Sequence, residues 1–417
     1  MHILLLTPAF PPMPGGGERY IGALARRLVE CGQQVTVVTS AAVRESQFWD
    51  GALASEPVSA GQLNVFALPV RPFPGGRRGL MFYRKAMVVF SAAPGNHIRA
   101  LMGMGRRVPR LVGIDDELSR VVSVAMPDLI HAFNVSWEAA LIDAYAAARR
   151  LGLPLVVTPF AHLGVGFDDR VARNSTMQHQ IEIMRRADRV MVLTGIERDG
   201  LARYGVPREQ MTVIGGGVDP LPLDFVNSSY WSASGRDWPE PFAVFVGRLA
   251  YDKGAIHAAQ AVLRLPGRAL VLVGTMTPEF ERYYRGLPPE DRARVRPLGV
   301  LPESDKHAVI GRARCLMLPS RSDSFGIVLL EAWAHGRPVI AARAGGIPGV
   351  VDDGANGLLV PFGDVGALAA AAERLLSDEV TARRLGEGGR RKVLEHYNWD
   401  AVTDRVLLDY QAIVGHH

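Results

Sequence analysis

Two stretches of this 417-residue chain set cations, carboxylates and glycines together as a diphosphate-bearing ligand would require. In Val246-Gly247-Arg248-Leu249-Ala250-Tyr251-Asp252-Lys253-Gly254, Gly247, Arg248 and Lys253 follow directly on the apolar run Phe242–Val246. Doubly wound sheets take ligands beyond the carboxyl ends of their strands, where two fixed cations stabilise a departing anion. A pair of solvent-facing cations is the plainer alternative. The second stretch, Ser320-Arg321-Ser322-Asp323-Ser324-Phe325-Gly326-Ile327-Val328-Leu329-Leu330-Glu331-Ala332, follows the run Cys315–Leu318. Ser324 is an N-cap type, and a helix capped there offers the amides of Phe325, Gly326, Ile327 and Val328 to an anion. Eight helical residues rise about 12 Å, so Asp323 and Glu331 are expected to bracket an extended ligand. Carboxylates accept charge-assisted hydrogen bonds from hydroxyls and repel phosphates, which assigns one acid to a sugar and one to a ribose. The alternative is an acid favouring a helix dipole plus an exposed glutamate.

A third candidate is Pro11-Pro12-Met13-Pro14-Gly15-Gly16-Gly17-Glu18, between the first apolar run and a helical pattern. Consecutive glycines let backbone amides approach an anion, and a helix N-terminus adds partial positive charge. The spacing matches neither G-x-G-x-x-G nor the P-loop, so dinucleotide and ATP binding are not indicated. A flexible turn is the competing reading. His162 also follows a candidate strand end, in Thr158-Pro159-Phe160-Ala161-His162-Leu163-Gly164, whereas His131 falls within a strand and reads as core.

These segments need parallel strands to aim them. Short apolar runs bounded by Gly and Pro alternate with stretches of helical period, the pattern of βαβ units. The clearest runs are His2–Leu6, 35–39, Leu129–Phe133, Leu155–Thr158 and 189–193. After Gly215-Gly216-Gly217-Val218-Asp219-Pro220 the series restarts with Phe242–Val246, Ala269–Val273, Cys315–Leu318 and 338–341. In the first helix Ile21, Leu24, Ala25, Leu28 and Val29 share one face, and Gly32 stands where a glycine ends a helix. The chain therefore reads as two doubly wound α/β halves, with a Trp- and Ser-containing join at 227–241. From Asp378 the composition is helical, and Tyr397, Trp399, Val402, Val406 and Tyr410 mark a final amphipathic helix.

With 48 % hydrophobic and 21 % charged residues the chain is neither disordered nor fibrous, and its length suits two cores. The net charge of +5 is modest. Zinc-finger spacing, an aromatic RRM motif and a basic helix continued by heptads are all missing, so no nucleic-acid partner is expected. Cys31 and Cys315 lie far apart, which fits a reducing compartment without a disulfide framework. The chain opens on an apolar strand without a charged n-region, and no apolar stretch reaches the roughly 18 residues of a membrane span. Residues 71–112 nonetheless interleave Arg71, Arg77, Arg78, Arg84, Lys85, Arg99, Arg106, Arg107 and Arg110 with Phe73, Met81, Phe82, Met87, Val88, Phe90, Leu101 and Met102. Such a surface can rest on anionic lipid, a solvated helical insertion being the alternative.

As a set, these residues resemble glycosyltransferase family 4, retaining nucleotide-sugar enzymes with the GT-B fold. Besides the first glycine turn, the resemblance runs through Pro127-Asp128-Leu129-Ile130-His131, Ala187-Asp188-Arg189-Val190, Gly216-Gly217-Val218-Asp219, Val246-Gly247-Arg248, Lys253-Gly254, 323–331 and Gly345-Gly346-Ile347-Pro348. It implies an acceptor-binding Rossmann-like domain over 1–215, a donor-binding one over 216–397, and a last helix near 398–417 packing back on the first. By the same resemblance Gly16 and Gly17 approach the donor phosphates, Arg248 and Lys253 bind the diphosphate, Glu331 holds the ribose and Asp323 holds sugar hydroxyls. His162 orients the sugar or supports charge.

The implied reaction moves a hexose from a UDP- or GDP-sugar to a glycan, lipid-linked or small-molecule hydroxyl in the cytoplasm, with retention and without a metal or other cofactor. The chain departs from the family pattern in three places. Asp323 stands where the family carries glutamate, Gly349 where an acid often follows the Gly-Gly-x-Pro run, and Phe133 where many members have a second histidine. A non-catalytic nucleotide-sugar-binding subunit and a nucleotide-sugar epimerase are the alternatives; turnover of donor without acceptor marks the epimerase, and donor binding without transfer marks the subunit.

Overall fold

A computed structural model describes residues 1–124, 126–165, 169–220 and 240–415. Most of the expected join at 227–241 therefore lies outside the described residues. The structure divides into two compact units. One comprises 1–162, 168–214 and 402–417, and the other comprises 163–167 and 215–401.

The strands of the first unit are β1 (His2–Leu6), β2 (Gln34–Ser40), β3 (Val58–Ala60), β4 (Leu63–Leu68), β5 (Leu129–Phe133), β6 (Leu155–Thr158), β7 (Arg189–Val192) and β8 (Met211–Val213). They form one sheet in the order β3-β4-β2-β1-β5-β6-β7-β8, parallel except for the β3–β4 hairpin. Its central strands are buried on both faces, which is why their sequences are continuous apolar runs and not alternating ones. The topology turns back on itself between β1 and β5, the switch point at which such sheets take ligands.

The second unit contains β9 (Phe242–Val246), β10 (Ala269–Val273), β11 (Val295–Gly299), β12 (Cys315–Leu318), β13 (Val339–Ala342) and β14 (Gly357–Val360). All pairings are parallel, in the order β11-β10-β9-β12-β13-β14, with the switch point between β9 and β12. One face of this sheet is covered by a core in which Phe245, Leu270, Leu272 and Met317 pack with Ala258, Val262, Leu368 and Leu375 from two helices. The apolar stripe of each helix thus meets the flat face of the sheet, which is the layer arrangement expected of an α/β fold.

The final helix, Trp399–Val414, starts in the second unit and finishes in the first. Val402, Val406 and Tyr410 are fully buried and spaced four apart, so they form one stripe. The Tyr410 hydroxyl lies 2.5 Å from His131 Nδ1 on β5, while His131 Nε2 lies 2.8 Å from Thr158 Oγ1 on β6. Burial pushes the His131 pKa down to about 3, so this histidine is a neutral core residue, as its strand position suggests.

Candidate functional site

In the second unit the chemistry collects at the β9/β12 switch point. Gly247 follows β9, and its N–H donates to Val273 O at 2.9 Å, tying the β9 loop to β10. Along that loop Arg248 pairs with Asp252 at 3.0 Å, both about half exposed, and Lys253 turns toward the loop after β12. Lys253 Nζ donates to Asp323 Oδ1 at 2.6 Å, with side chains 24 % and 17 % exposed. Partial shielding makes this contact stronger than an open surface pair while leaving it within reach of a ligand. The two loops are also stitched through their backbones, since Arg321 N–H donates to Asp252 O at 2.8 Å.

Ser324 does not cap the helix that follows. The helix runs Ile327–Ala334, its N-cap is Gly326 at φ +82°, and no side chain caps it. The preference of serine for N-caps misleads here, because a left-handed residue is needed to turn the chain into the helix and only glycine takes that conformation without strain. A Cβ on Gly326 would also stand 2.9 Å from Leu329 Cδ1. Asp323 consequently precedes the helix by four residues, and the expected eight-residue helical span from Asp323 to Glu331 is not formed. Ile327 and Val328 are the first helical residues, so their amides begin the helix. The Phe325 side chain is buried against Tyr397 at 5.4 Å between ring centroids, so Phe325 offers a ligand only its backbone.

Glu331 is not an exposed glutamate. It is 5 % exposed, and its Oε1 lies 3.0 Å from Lys306 Nζ on the helix Glu303–Arg312. Lys306 was not singled out from sequence, yet a signal exists: it shares a face with Val309 and Ile310, both fully buried, so a lysine stands in an apolar stripe.

Asp323 is held by its backbone as well as by Lys253. Gly346 N–H donates to Asp323 O at 2.8 Å, and Gly345 sits at φ +59° with room for a Cβ only 2.3 Å from that same carbonyl oxygen. The Gly345-Gly346 pair therefore clamps the residue that grips Lys253. Gly345→Ala is expected to lower kcat/KM at least tenfold by displacing Asp323, while thermal unfolding shows the chain still folded; unchanged kinetics would exclude the clamp.

In the first unit Gly16 and Gly17 are the first two residues of the helix Gly16–Glu30, and Gly15 precedes them in extended conformation. A Cβ on Gly16 would meet nothing within 4 Å, whereas on Gly17 it would touch the Phe160 ring at 3.4 Å. The turn already carries a carboxylate, since Glu18 folds back so far that a Cβ on Gly15 would lie 1.9 Å from Glu18 Oε2. Burial, chiefly, raises the Glu18 pKa.

His162 is half-buried beyond β6, and its N–H donates to Ser175 Oγ at 3.3 Å. Its loop is anchored by Glu197, a residue that sequence reasoning passed over. Glu197 Oε1 accepts from Ala161 N–H at 2.6 Å and Oε2 from Leu193 N–H at 2.8 Å, while Thr194 Oγ1 caps Glu197 N–H at 3.0 Å. The Thr-x-x-Glu spacing of a capping box is the signal that could have found it. Burial pushes the Glu197 pKa up to about 7, against the two backbone donors.

Two doubly wound, almost wholly parallel sheets, one of them with a cation, a carboxylate and a helix N-terminus at its switch point, define a GT-B type α/β protein. Residues 15–217 match the family described as "Glycosyl transferase 4-like domain", and residues 232–392 match "Glycosyl transferases group 1". The chain belongs to these GT-B glycosyltransferases and is an enzyme of that class. It is 27 % identical over 423 residues to a glycogen synthase of Mycobacterium tuberculosis strain H37Rv, covering 99 % of this chain and 95 % of that protein. Its fold is similar to that of sucrose-phosphate synthase from Thermosynechococcus elongatus, with TM-score 0.75, 22 % identity and coverage of 100 % and 99 %. It is also similar in fold to Anabaena HepE in complex with UDP-glucose, with TM-score 0.67, 19 % identity and coverage of 99 % and 100 %.

Proposed function

We propose that the chain moves a hexose from a UDP- or GDP-sugar to a hydroxyl of a glycan, glycolipid or small-molecule acceptor, with retention at the anomeric carbon and without a metal. The observation that carries this reading is the Lys253–Asp323 pair at the β9/β12 switch point, next to the start of a helix. The diphosphate lies against Lys253, Arg248 and the amides that open the helix at Ile327, and Asp323 accepts from hydroxyls of the sugar. Glu331 accepts from the ribose. The bond from the anomeric carbon to the phosphate oxygen breaks as the acceptor oxygen bonds to that carbon from the same face, and the acceptor proton passes to the departing phosphate oxygen. Side-chain cations carry the charge that develops on the leaving diphosphate.

A thermal-shift panel of UDP-, GDP-, ADP- and TDP-sugars identifies the donor, since a ligand bound only by the folded chain raises its unfolding midpoint. Product NMR then reads the anomer. Retained configuration and undiminished rates in EDTA support the proposal; an inverted product or a rate abolished by EDTA overturns it.

We also propose a peripheral contact of residues 71–112 with the anionic inner face of a membrane, which would suit a lipid-linked acceptor. The helix Gly76–Ala92 buries Leu80 and Met87 and presents Phe82, 77 % exposed, and Val89, 66 % exposed, in line with exposed Arg78 and Lys85. Positions i, i+4, i+7 and i+11 form one stripe, in which cations can meet phosphates while the apolar groups enter the acyl boundary. No helix among the described residues is long and apolar enough to cross a membrane. Vesicle sedimentation is expected to deplete the protein with anionic vesicles and spare it with neutral ones, and Phe82→Ser is expected to weaken the depletion severalfold. Equal recovery in both supernatants would end the idea.

A further inference from the structure

Lys306 is the odd member of the inward stripe on the helix Glu303–Arg312. Its side chain is 5 % exposed, its Nζ donates to Glu303 Oε2 at 2.6 Å, and the same Nζ lies 3.0 Å from Glu331 Oε1. Glu303 is 64 % exposed at the start of that helix, whereas the Glu331 side chain is 6 % exposed on the helix Ile327–Ala334. The ammonium therefore joins a solvent-facing acid to an enclosed one.

Withdrawing an ammonium and a carboxylate from water costs several kcal/mol per ion, and an apolar pair of the same volume commonly packs at least as stably. Stability alone gives no reason for a lysine between Ala308, Val309 and Ile310. What it adds is direction. An ammonium held by a second carboxylate occupies one oxygen of Glu331 and restricts its rotamers, so that the carboxylate accepts from a fixed set of directions.

The neighbouring imidazoles do not duplicate this role. His335 Nε2 lies 3.0 Å from His307 Nδ1, and burial first, then His307 and Arg337, push the His335 pKa down to about 4. His335 is thus neutral near pH 7, and His307 faces Glu303 at 3.9 Å.

We infer that Lys306 is a positioning residue: it holds the Glu331 carboxylate oriented to accept hydrogen bonds from the ribose hydroxyls of the nucleotide donor. The inference rests on the ribose role proposed above for Glu331, and it makes the enzyme's preference for ribonucleotides over 2′-deoxyribonucleotides depend on a lysine that the nucleotide does not touch.

Titration calorimetry with UDP against 2′-deoxy-UDP, and with the matching GDP and ADP pairs, reads that preference directly. A carboxylate–hydroxyl hydrogen bond predicts that the native enzyme binds the ribo form about tenfold tighter. Glu331→Gln and Lys306→Met are each expected to reduce the ratio to about threefold or less. A ratio that falls in Glu331→Gln but keeps its native value in Lys306→Met overturns the role of Lys306. A native ratio in Glu331→Gln instead overturns the ribose reading itself. If Lys306→Met does not fold, as judged by circular dichroism, Lys306→Gln takes its place: a reduced ratio supports the inference and a native one overturns it.

Discussion

Lys253→Met is expected to lower kcat/KM for sugar transfer by about two to three orders of magnitude, the usual cost of removing one preorganised group from a developing charge. The ammonium stands beyond β9, at the switch point with β12, and is oriented by Asp323 at 2.6 Å. In the free enzyme it already has a counter-charge. When the diphosphate departs, the negative charge on its oxygens grows and attraction to Lys253 strengthens, so the interaction is worth more in the transition state than in the ground state. The loss should therefore appear mainly in kcat, with a smaller rise in KM for the donor. Asp323→Asn separates this role from a structural one. If Lys253 serves only to hold Asp323, the double variant is no slower than Asp323→Asn alone. If Lys253 meets the diphosphate, the double variant loses a further large factor. A loss below about tenfold in Lys253→Met would remove the residue from the reaction.

Lowering the pH from 7.5 to 4 is expected to shift the stability of His179→Leu relative to the native chain by about 3 kcal/mol in favour of the variant, from 1.36 kcal/mol per pKa unit. His179 is fully buried, and burial first, then Arg84, push its pKa down to about 4. Neither ring nitrogen has a hydrogen-bond partner among the described residues, so nothing compensates a proton there. A depressed folded pKa means that the unfolded chain takes up the proton first. The stability that His179 supplies is complete above its unfolded pKa near 6.5 and is lost as the pH falls toward 4. Glu138, whose pKa burial pushes up to about 7, titrates in both proteins, so the comparison of the two and not the slope of either reports His179. Urea unfolding at several pH values measures the divergence. Parallel curves for the two proteins would show that His179 is solvated or charged in solution.

The strands that build both switch points were legible because parallel strands covered on both faces carry near-continuous apolar runs, as in Ala269–Val273 and, interrupted only by His131, Leu129–Phe133. Strands at or next to the sheet edges were harder to read. β4 has mostly half-buried positions, and β11 reads Val-Arg-Pro-Leu-Gly, where proline and glycine mask the pattern. Among the site residues, Lys253, Asp323 and Glu331 stood out by type and by their place after strands. Their partners did not, because Lys253 and Asp323 are 70 residues apart and Lys306 meets Glu331 across two helices. The start of the helix at Ile327 was misjudged for a local reason: Ser324 carries the preferred capping side chain, but Gly326 carries the backbone conformation that the turn demands.

The divided membership of the last helix bears on how the molecule can be made. The stripe Val402, Val406 and Tyr410 completes the first unit, although every other part of that unit is encoded before residue 215. A ribosome that has translated the first sheet has not yet supplied the tyrosine that contacts His131. That unit must therefore wait for residues beyond 401 while the intervening 215–401 are synthesised, so its folding is completed by a distant downstream segment.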